Sequence, residues 1–152
     1  MMTINIVCVG NLKEKFSRDE QAEYQKRLSA FCNLNIIEIK EQNHLENPAL
    51  ILEKEGEEIV KKLKGYVLLC DIKSKQVSSE QFADKIKGIM NENSCLTFVI
   101  GGSYGVSENV KKLANEKMSF SPMTFPHNLF RIMLLEQVYR SFTILAGKTY
   151  HK

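Results

Sequence analysis

Residues 96–106, which read L-T-F-V-I-G-G-S-Y-G-V, restrict the possible folds of this chain more than any other stretch. The apolar first half is rich in strand formers and is too short for an independent helix. Gly101, Gly102 and Gly105 follow, and glycine permits positive φ and close approach of another group. Ser107 then provides a helix N-cap. A strand, a glycine turn and a helix N-terminus in this order are typical of a ligand-binding edge of an α/β sheet. The alternative is a tight turn without a ligand.

Strand-like and helix-like segments alternate along the whole chain. The predicted strands are residues 3–9, 34–39, 66–72, 96–100 and a short 118–120. The predicted helices begin at a capping box of Ser17 and Glu20, at Asn47-Pro48, at Ser78 with Gln81, at Ser107 and near Pro126. Gly65 is expected to end the second helix, and the last helix should run to about Ala146. This alternation predicts one domain, residues 1–152, with a mostly parallel sheet and helices on both faces.

Composition excludes several classes of protein. With 43% hydrophobic and 26% charged residues, the chain has the composition of an ordinary globular protein. No apolar run approaches the roughly 20 residues that span a bilayer, and the first ten residues lack a signal-peptide pattern, so we expect a cytoplasmic protein with no membrane partner. The four cysteines occur singly and the three histidines lack zinc spacing, which favours reduced, buried thiols and no metal site.

The formal net charge of +3 is unevenly placed. The last 30 residues contain four basic side chains, Arg131, Arg140, Lys148 and Lys152, against the single acid Glu136. In the preceding 122 residues, basic and acidic side chains are equal in number. This placement indicates a local anionic partner rather than a generally basic surface, the alternative being chance placement of four charges.

Three segments should meet at the carboxyl ends of the strands, where ligands bind in such sheets: residues 70–72, the glycine turn (residues 101–105) and residues 120–125. The first strand carries no G-x-G-x-x-G and no Walker lysine is present, which argues against a dinucleotide or P-loop site.

Residues 120–125, F-S-P-M-T-F, form an apolar loop stiffened by Pro122 and the following Pro126, and we call it the proline loop. Such a loop can sandwich a planar ring while its main chain binds the ring edge. Alternatively, it is tucked under the last helix.

The last helix is apolar on nearly every side, so it needs burial all round. One side carries Phe130, Met133, Leu134 and Val138, and another carries Ile132, Leu135, Tyr139 and Phe142. In a small domain this often means that one side packs the core and the other packs a second subunit. We therefore expect a homodimer.

Several segments together resemble one family. The F-P-H-N-L-F-R-I-M-L-L-E-Q-V-Y-R-S-F segment, the I-G-G-x-x-G turn, the terminal Y-H-K, the V-x-V-G opening and the K-E-G-E-E of residues 54–58 resemble the RlmH (YbeA-type) family of SPOUT methyltransferases from end to end. The resemblance implies an α/β fold with a C-terminal trefoil knot, a homodimer and S-adenosylmethionine as methyl donor. The implied reaction is N3-methylation of a pseudouridine in 23S ribosomal RNA on the assembled ribosome.

The resemblance also implies a set of cofactor-binding residues by position. These are Cys70, Gly101, Phe120, Ser121, Pro122, Met123, Thr124 and Phe125.

Five residues in the basic C-terminal region are candidates for the reaction itself. His127 and His151 could accept the proton of the target imide, unless His127 is a helix cap and His151 part of a disordered tail. Arg131 and Arg140 suit phosphate contact, but nine residues apart on a helix they point to nearly opposite sides. Tyr150 offers a stacking surface for a flipped-out base, and we expect residues 150–152, the tail, to close the partner subunit's site.

Two rival functions remain open. A non-enzymatic ribosome-binding module would use the basic end to dock on RNA and retain only a vestigial cleft. A SPOUT enzyme acting on transfer RNA would share the cofactor site but not the target.

Overall fold

The computed structural model describes all 152 residues and contains one five-stranded, entirely parallel sheet. The strands are β1 (Thr3–Val9), β2 (Asn33–Ile39), β3 (Tyr66–Cys70), β4 (Cys95–Ile100) and β5 (Glu116–Met118), in the order β2-β1-β4-β3-β5. The central strands are almost uninterrupted apolar runs because helices cover both of their faces. The predicted parallel sheet is confirmed, and its order places the carboxyl ends of β4, β3 and β5 side by side.

Five helices cover the sheet: α1 (Lys15–Leu28), α2 (Pro48–Val60), α3 (Ser79–Glu92), α4 (Glu108–Leu113) and α5 (His127–Leu145). Alternate strand residues point to opposite faces, so Ile6 packs with α1, α3 and α5 while its neighbour Val7 packs with α2 and α4. This confirms the expectation of helices on both faces. No helix is both long and apolar enough to cross a bilayer.

Three of the predicted helix starts are confirmed by their hydrogen bonds. Asn47 accepts the N–H of Ala49 at 2.9 Å, directly before Pro48. Ser78 and Gln81 form a complete capping box, with bonds of 3.1 and 2.8 Å. Ser107 caps α4 by accepting the N–H of Val110 at 3.3 Å.

The predicted capping box of Ser17 and Glu20 is wrong. Helix α1 begins at Lys15, so Ser17 lies inside it and no side chain caps its start. The guanidinium of Arg18 instead donates to the carbonyls of Leu12 and Lys13, at 3.2 and 2.5 Å. These bonds hold the incoming chain against the first turn of the helix.

Three other boundaries differ from expectation: α2 ends earlier, β3 ends at residue 70 instead of 72, and β5 spans residues 116–118 instead of 118–120. Helix α2 ends at Val60, and Gly65 (φ +64°) leads into β3 instead of stopping the helix. A Cβ on Gly65 would collide with the main chain of Cys95, so glycine is required for the close approach of β4. Strand β3 ends at Cys70 and β5 at Met118, which pair with each other, and the chain turns away beyond both.

Helix α5 lies between α1 and α3, so both of its apolar sides are covered within one chain. Phe142 stacks on Phe31 with ring centroids 5.5 Å apart, and Tyr139 lies 6.4 Å from Tyr24. The apolar surround of α5 therefore does not require a second subunit. The homodimer stays a prediction that needs other support, as does the trefoil knot.

Candidate functional site

The three segments predicted to converge do line one cleft, of about 390 Å³, at the carboxyl ends of β3, β4 and β5. The glycine turn forms one wall, the proline loop another, and the chain leaving β3 a third. The first turn of α5 adds His127 and Phe130. Of the eight residues expected to bind the cofactor, all except Pro122 line this cleft.

The glycine turn is a compact reversal of the chain. The N–H of Gly105 donates to the carbonyl of Gly102 at 3.0 Å, and Gly105 is the one glycine of the turn with positive φ, +84°. Gly101 is needed for a different reason. A Cβ on it would lie 2.5 Å from the carbonyl oxygen of Gly105, so the two ends of the turn touch only because Gly101 has no side chain.

Serine hydroxyls and aromatic packing hold the proline loop in place. The hydroxyl of Ser119 donates to the carbonyl of Ser121 at 2.9 Å, and the N–H of Met123 donates to the Ser121 hydroxyl at 3.0 Å. Phe120 packs on Phe130 of α5 at 4.9 Å. Thus the first residue of the proline loop lies against the last helix, as expected for a loop tucked under that helix. The loop as a whole lines the cleft, as expected for a ligand-binding loop.

Two of the cysteines, Cys70 and Cys8, are held as protonated thiols by burial. All four are free thiols. Burial raises the pKa of the Cys70 thiol well above its usual range and that of Cys8 to about 11, so both stay protonated at neutral pH. No three His, Cys, Asp or Glu side chains lie close enough together to hold a metal ion.

His127 is the one predicted reaction residue that lines the cleft. It is the first residue of α5, whose N-cap is Pro126 without any side-chain cap, so the interpretation of His127 as a capping residue is wrong. Its Nε2 lies 3.4 Å from Oε1 of Glu41. The ring therefore lies at the cleft with a carboxylate beside it.

Arg131 is enclosed in the protein interior, with none of its side chain exposed. Its guanidinium donates to Glu38 at 2.7 Å, to Gln21 at 3.2 Å and to the carbonyl of Gly10 at 2.9 Å. A group so enclosed cannot reach a phosphate. The predicted phosphate contact is therefore replaced by a structural role, in which Arg131 ties α5 to α1, β2 and the end of β1.

Arg140, Tyr150 and His151 gather in a second place, outside the cleft. Arg140 pairs with Glu136, its Cζ lies 4.9 Å from the Tyr150 ring centroid, and one of its nitrogens lies 3.0 Å from Nδ1 of His151. Since arginine only donates, Nδ1 accepts, and Nε2 of His151 donates to Glu80 of α3 at 2.6 Å. The tail is thus ordered on its own α5 and α3. Arg140 is 13 residues from His127, about 20 Å along the helix.

Two acids beside the cleft escaped the sequence interpretation. Glu41 contacts His127, and Glu55 of α2 is 5% exposed, although its segment had served only as a mark of the family. A signal for Glu55 was present: Ile51, Glu55 and Ile59 share one helix stripe, and a charge in an apolar stripe is unusual. Glu41 had no such signal, because its contact with His127 joins residues 86 apart.

Comparisons with known proteins identify the family. The family model described as "Predicted SPOUT methyltransferase" matches residues 2–151. The chain is 51% identical to "Ribosomal RNA large subunit methyltransferase H" of Clostridium botulinum (strain Loch Maree / Type A3) and 49% identical to the protein of that name from Clostridium acetobutylicum, over 99% of this chain and all of each relative.

A solved structure supports the fold alone. It is described as a probable methylase family protein from Haemophilus influenzae Rd KW20, and it matches with a TM-score of 0.56 at 11% identity, covering 98% of this chain and 70% of the other. Family model, full-length relatives and fold lead to one conclusion: this chain belongs to the SPOUT methyltransferase family.

Proposed function

We propose that this protein is an S-adenosylmethionine-dependent methyltransferase that modifies N3 of a pseudouridine in 23S ribosomal RNA on the assembled ribosome, in the cytoplasm. The observation that carries the proposal is the cleft, where the glycine turn and the stiffened proline loop meet at the carboxyl ends of three adjacent strands. The full-length relatives named as large-subunit ribosomal RNA methyltransferases support the class of substrate. The choice of nucleotide follows the family resemblance.

The residues of the cleft fit an adenosyl cofactor. Its volume of about 390 Å³ lies within the range of small-molecule sites, and ten of its 21 lining residues are hydrophobic. Main-chain groups of the proline loop are available to bind the edge of an adenine, with Phe120 and Phe125 beside it. When bound, S-adenosylmethionine supplies an activated methyl group on a good leaving group.

The protein's own contribution is then mainly to align the target and to exclude water. Lys73 and Lys111 line the same cleft and offer positive charge to the RNA backbone near the reacting base. In this proposal Lys73 and Lys111 make the phosphate contacts that the sequence had suggested for Arg131, which is buried. Positive charge at the site thus comes partly from residues outside the basic C-terminal segment.

We also propose that the protein acts as a homodimer. The tail lies outside the cleft of its own chain, and Phe16 and Leu129, at the starts of α1 and α5, leave 70% and 51% of their surface exposed. A second subunit could cover these side chains and bring its tail to the cleft. Sedimentation velocity at micromolar concentration should show a dimer, and a stable monomer would contradict this part of the proposal.

Two measurements test the activity. Isothermal titration with S-adenosylmethionine should give micromolar binding, whereas no binding would favour the non-enzymatic ribosome-binding module. Mass spectrometry of 23S RNA fragments from cells with and without the gene should show one pseudouridine whose additional methyl group depends on the protein. If the methyl group is lost from a transfer RNA instead, the rival SPOUT assignment is correct.

A further inference from the structure

We infer that Glu41 is a positioning residue for the reaction: it holds the hydrogen of His127 on Nε2, so that Nδ1 is the atom that accepts the proton of the target imide. This inference rests on the proposed function, because it requires an N–H group as methyl acceptor. It adds a carboxylate that no sequence motif pointed to.

The geometry of the pair is built into the fold. His127 lines the cleft, and its Nε2 lies 3.4 Å from Oε1 of Glu41, with each side chain only about a quarter exposed, 25% and 26%. Gly10, at the end of β1 with φ +93°, leaves the space that they occupy. A Cβ on Gly10 would lie 3.3 Å from His127 Nε2 and 3.6 Å from the carboxyl carbon of Glu41.

The chemistry of the two groups decides which nitrogen is free. Glu41 contacts His127 at an ion-pair distance of 3.4 Å and forms no hydrogen bond with it, so its effect on the ring is electrostatic. A negative carboxylate attracts an N–H and repels a nitrogen lone pair, so a neutral imidazole beside it is stabilised with its hydrogen on the facing nitrogen. For His127 that nitrogen is Nε2, and the lone pair is left on Nδ1. Once Nδ1 takes a proton, Glu41 also offsets the positive charge of the imidazolium, as the carboxylate of a Ser-His-Asp triad does for its histidine.

The proton balance of the step is complete. The N–H bond of the target imide breaks, and the proton moves to Nδ1 of His127. The electron pair stays on the imide nitrogen, which uses it to form the new bond to the methyl carbon. The sulfur that loses the methyl group keeps the pair of the broken S–C bond, so its positive charge reappears on the imidazolium and no oxidant or further reactant is needed.

Glu55 supports this arrangement from behind the glycine turn. Its Oε2 accepts the N–H of Gln42 at 3.2 Å, which holds the backbone next to Glu41. Its Oε1 lies 3.2 Å from the position of a Cβ on Gly102. One buried side chain therefore bonds to the loop that carries Glu41 and lies beside the turn that forms the cleft wall.

Other charged groups surround His127 and must be counted in any pH profile. Arg131 lies one turn along α5 and is paired with Glu38. On the cleft side the charged lining residues are Asp71, Lys73 and Lys111. Glu41 is the one carboxylate in ion-pair contact with His127. Replacing it is therefore the most specific perturbation.

Nitrogen NMR of the cofactor-free protein tests the tautomer directly. The chain has only three histidines, and exposed His44 serves as an internal reference. At a pH where the rings are neutral, we expect His127 to carry its hydrogen on Nε2 in the wild type and in the control Glu46→Gln, an exposed acid of the same segment. In Glu41→Gln the preference should be lost, because an amide can also donate. A wild-type ring with hydrogen on Nδ1, or an unchanged ring in Glu41→Gln, overturns the inference.

Single-turnover methyl transfer to ribosomes provides the second arm. A histidine base typically contributes 10²–10⁴-fold, so His127→Asn should slow the methyl step by at least about 100-fold and Glu41→Gln by at least about 10-fold. Cofactor affinity should stay within about twofold in Glu41→Gln, because Glu41 does not line the cleft. A wild-type enzyme that methylates ribosomes while His127→Asn keeps its rate contradicts this inference alone. A wild type that neither binds the cofactor nor methylates ribosomes contradicts the proposed function itself.

Discussion

The cleft and the tail differ in what holds them. Main-chain contacts build the glycine-turn side of the cleft and the strand ends beneath it: Gly101 touches Gly105, and β3 and β5 end side by side. Side chains hold the tail: His151 bonds to Glu80, an acid whose side chain is 64% exposed, and Tyr150 bonds to Glu136 at 3.3 Å. The hydrogen bond from His151 lowers the pKa of Glu80.

This difference bears on how each region can work. The bond from His151 reaches an exposed acid, and exposed ion pairs contribute little to stability, so this contact alone adds little to hold the tail. The ring of Tyr150 also packs on Tyr139 and Arg140, and these contacts would have to break before the tail could serve a partner subunit. The glycine turn is already formed, because main-chain atoms in contact fix its shape.

The largest expected effect is that of Gly101→Val. The added side chain collides with Gly105 and opens the glycine turn, so we expect cofactor affinity to fall by at least about 100-fold, or ~2.7 kcal/mol. The sheet should persist, because the collision is confined to the turn. Gly88→Val is the matched control: Gly88 is exposed on α3 with nothing within 4 Å of an added Cβ. Titration calorimetry measures the cofactor affinity of each variant, and circular dichroism measures its secondary structure. Near-normal affinity in Gly101→Val would show that the glycine turn does not contribute to cofactor binding.

Deletion of the tail should have the next largest effect, on methyl transfer alone. Without residues 150–152 we expect the protein to dimerise and to bind the cofactor normally, while transfer to ribosomes falls by about 100-fold, the lower range for loss of reacting groups. Calorimetry and a methyl-transfer assay separate the two. Loss of cofactor affinity in this variant would mean that the tail belongs to the cleft of its own chain.

A heterodimer decides which subunit the tail serves. One subunit lacks the tail and the other carries Gly101→Val, so the only cofactor-competent site belongs to the subunit without a tail. If the tail acts on the partner, this heterodimer should keep up to about half of the wild-type activity, by counting sites. Inactive heterodimers would place the tail over its own subunit's site.

The smallest effect concerns Glu55 behind the glycine turn. Burial raises the pKa of this carboxyl. Between the pKa of the unfolded chain and the higher pKa of the folded protein, the folded protein therefore holds a proton that the unfolded chain has released. The free energy of unfolding falls as the pH rises through that interval. Glu55→Gln removes the buried charge and keeps an acceptor for Gln42. The melting temperature of the variant should match that of wild type near pH 4 and exceed it at pH 7. Glu57→Gln, an exposed change on the same helix, should show no such trend, and an equal trend in both variants would contradict the assignment.

Much of the cleft could be predicted because its parts are local in sequence. Ser78 with Gln81, and Ser107, marked helix starts by the spacing of their own neighbours. The glycines and prolines marked the two cleft walls for the same reason. Seven of the eight residues carried over from the family resemblance line the cleft, since they belong to two short segments and one strand end.

Long-range pairing could not be predicted in the same way. Arg131 suited a phosphate contact by residue type. In the structure its guanidinium instead donates to the carboxylate of Glu38, which lies 93 residues away in sequence. The apolar sides of helix α5 predicted burial but could not show that α1 and α3 supply much of it. The apolar pattern of one helix predicts that a face is buried, but it does not predict which element packs on that face.

The parallel α/β architecture, most element boundaries and the walls of the cleft follow from local patterns, because strand alternation, capping bonds and glycine or proline backbone preferences act over a few residues. Three features instead required the folded chain: which charged side chains are paired inside the protein, the contact between Glu41 and His127, and the position of the tail on α3 and α5. Each of these depends on electrostatic contacts between segments brought together by the order of the sheet. That order is set by the packing of the whole chain, so no local pattern carries it.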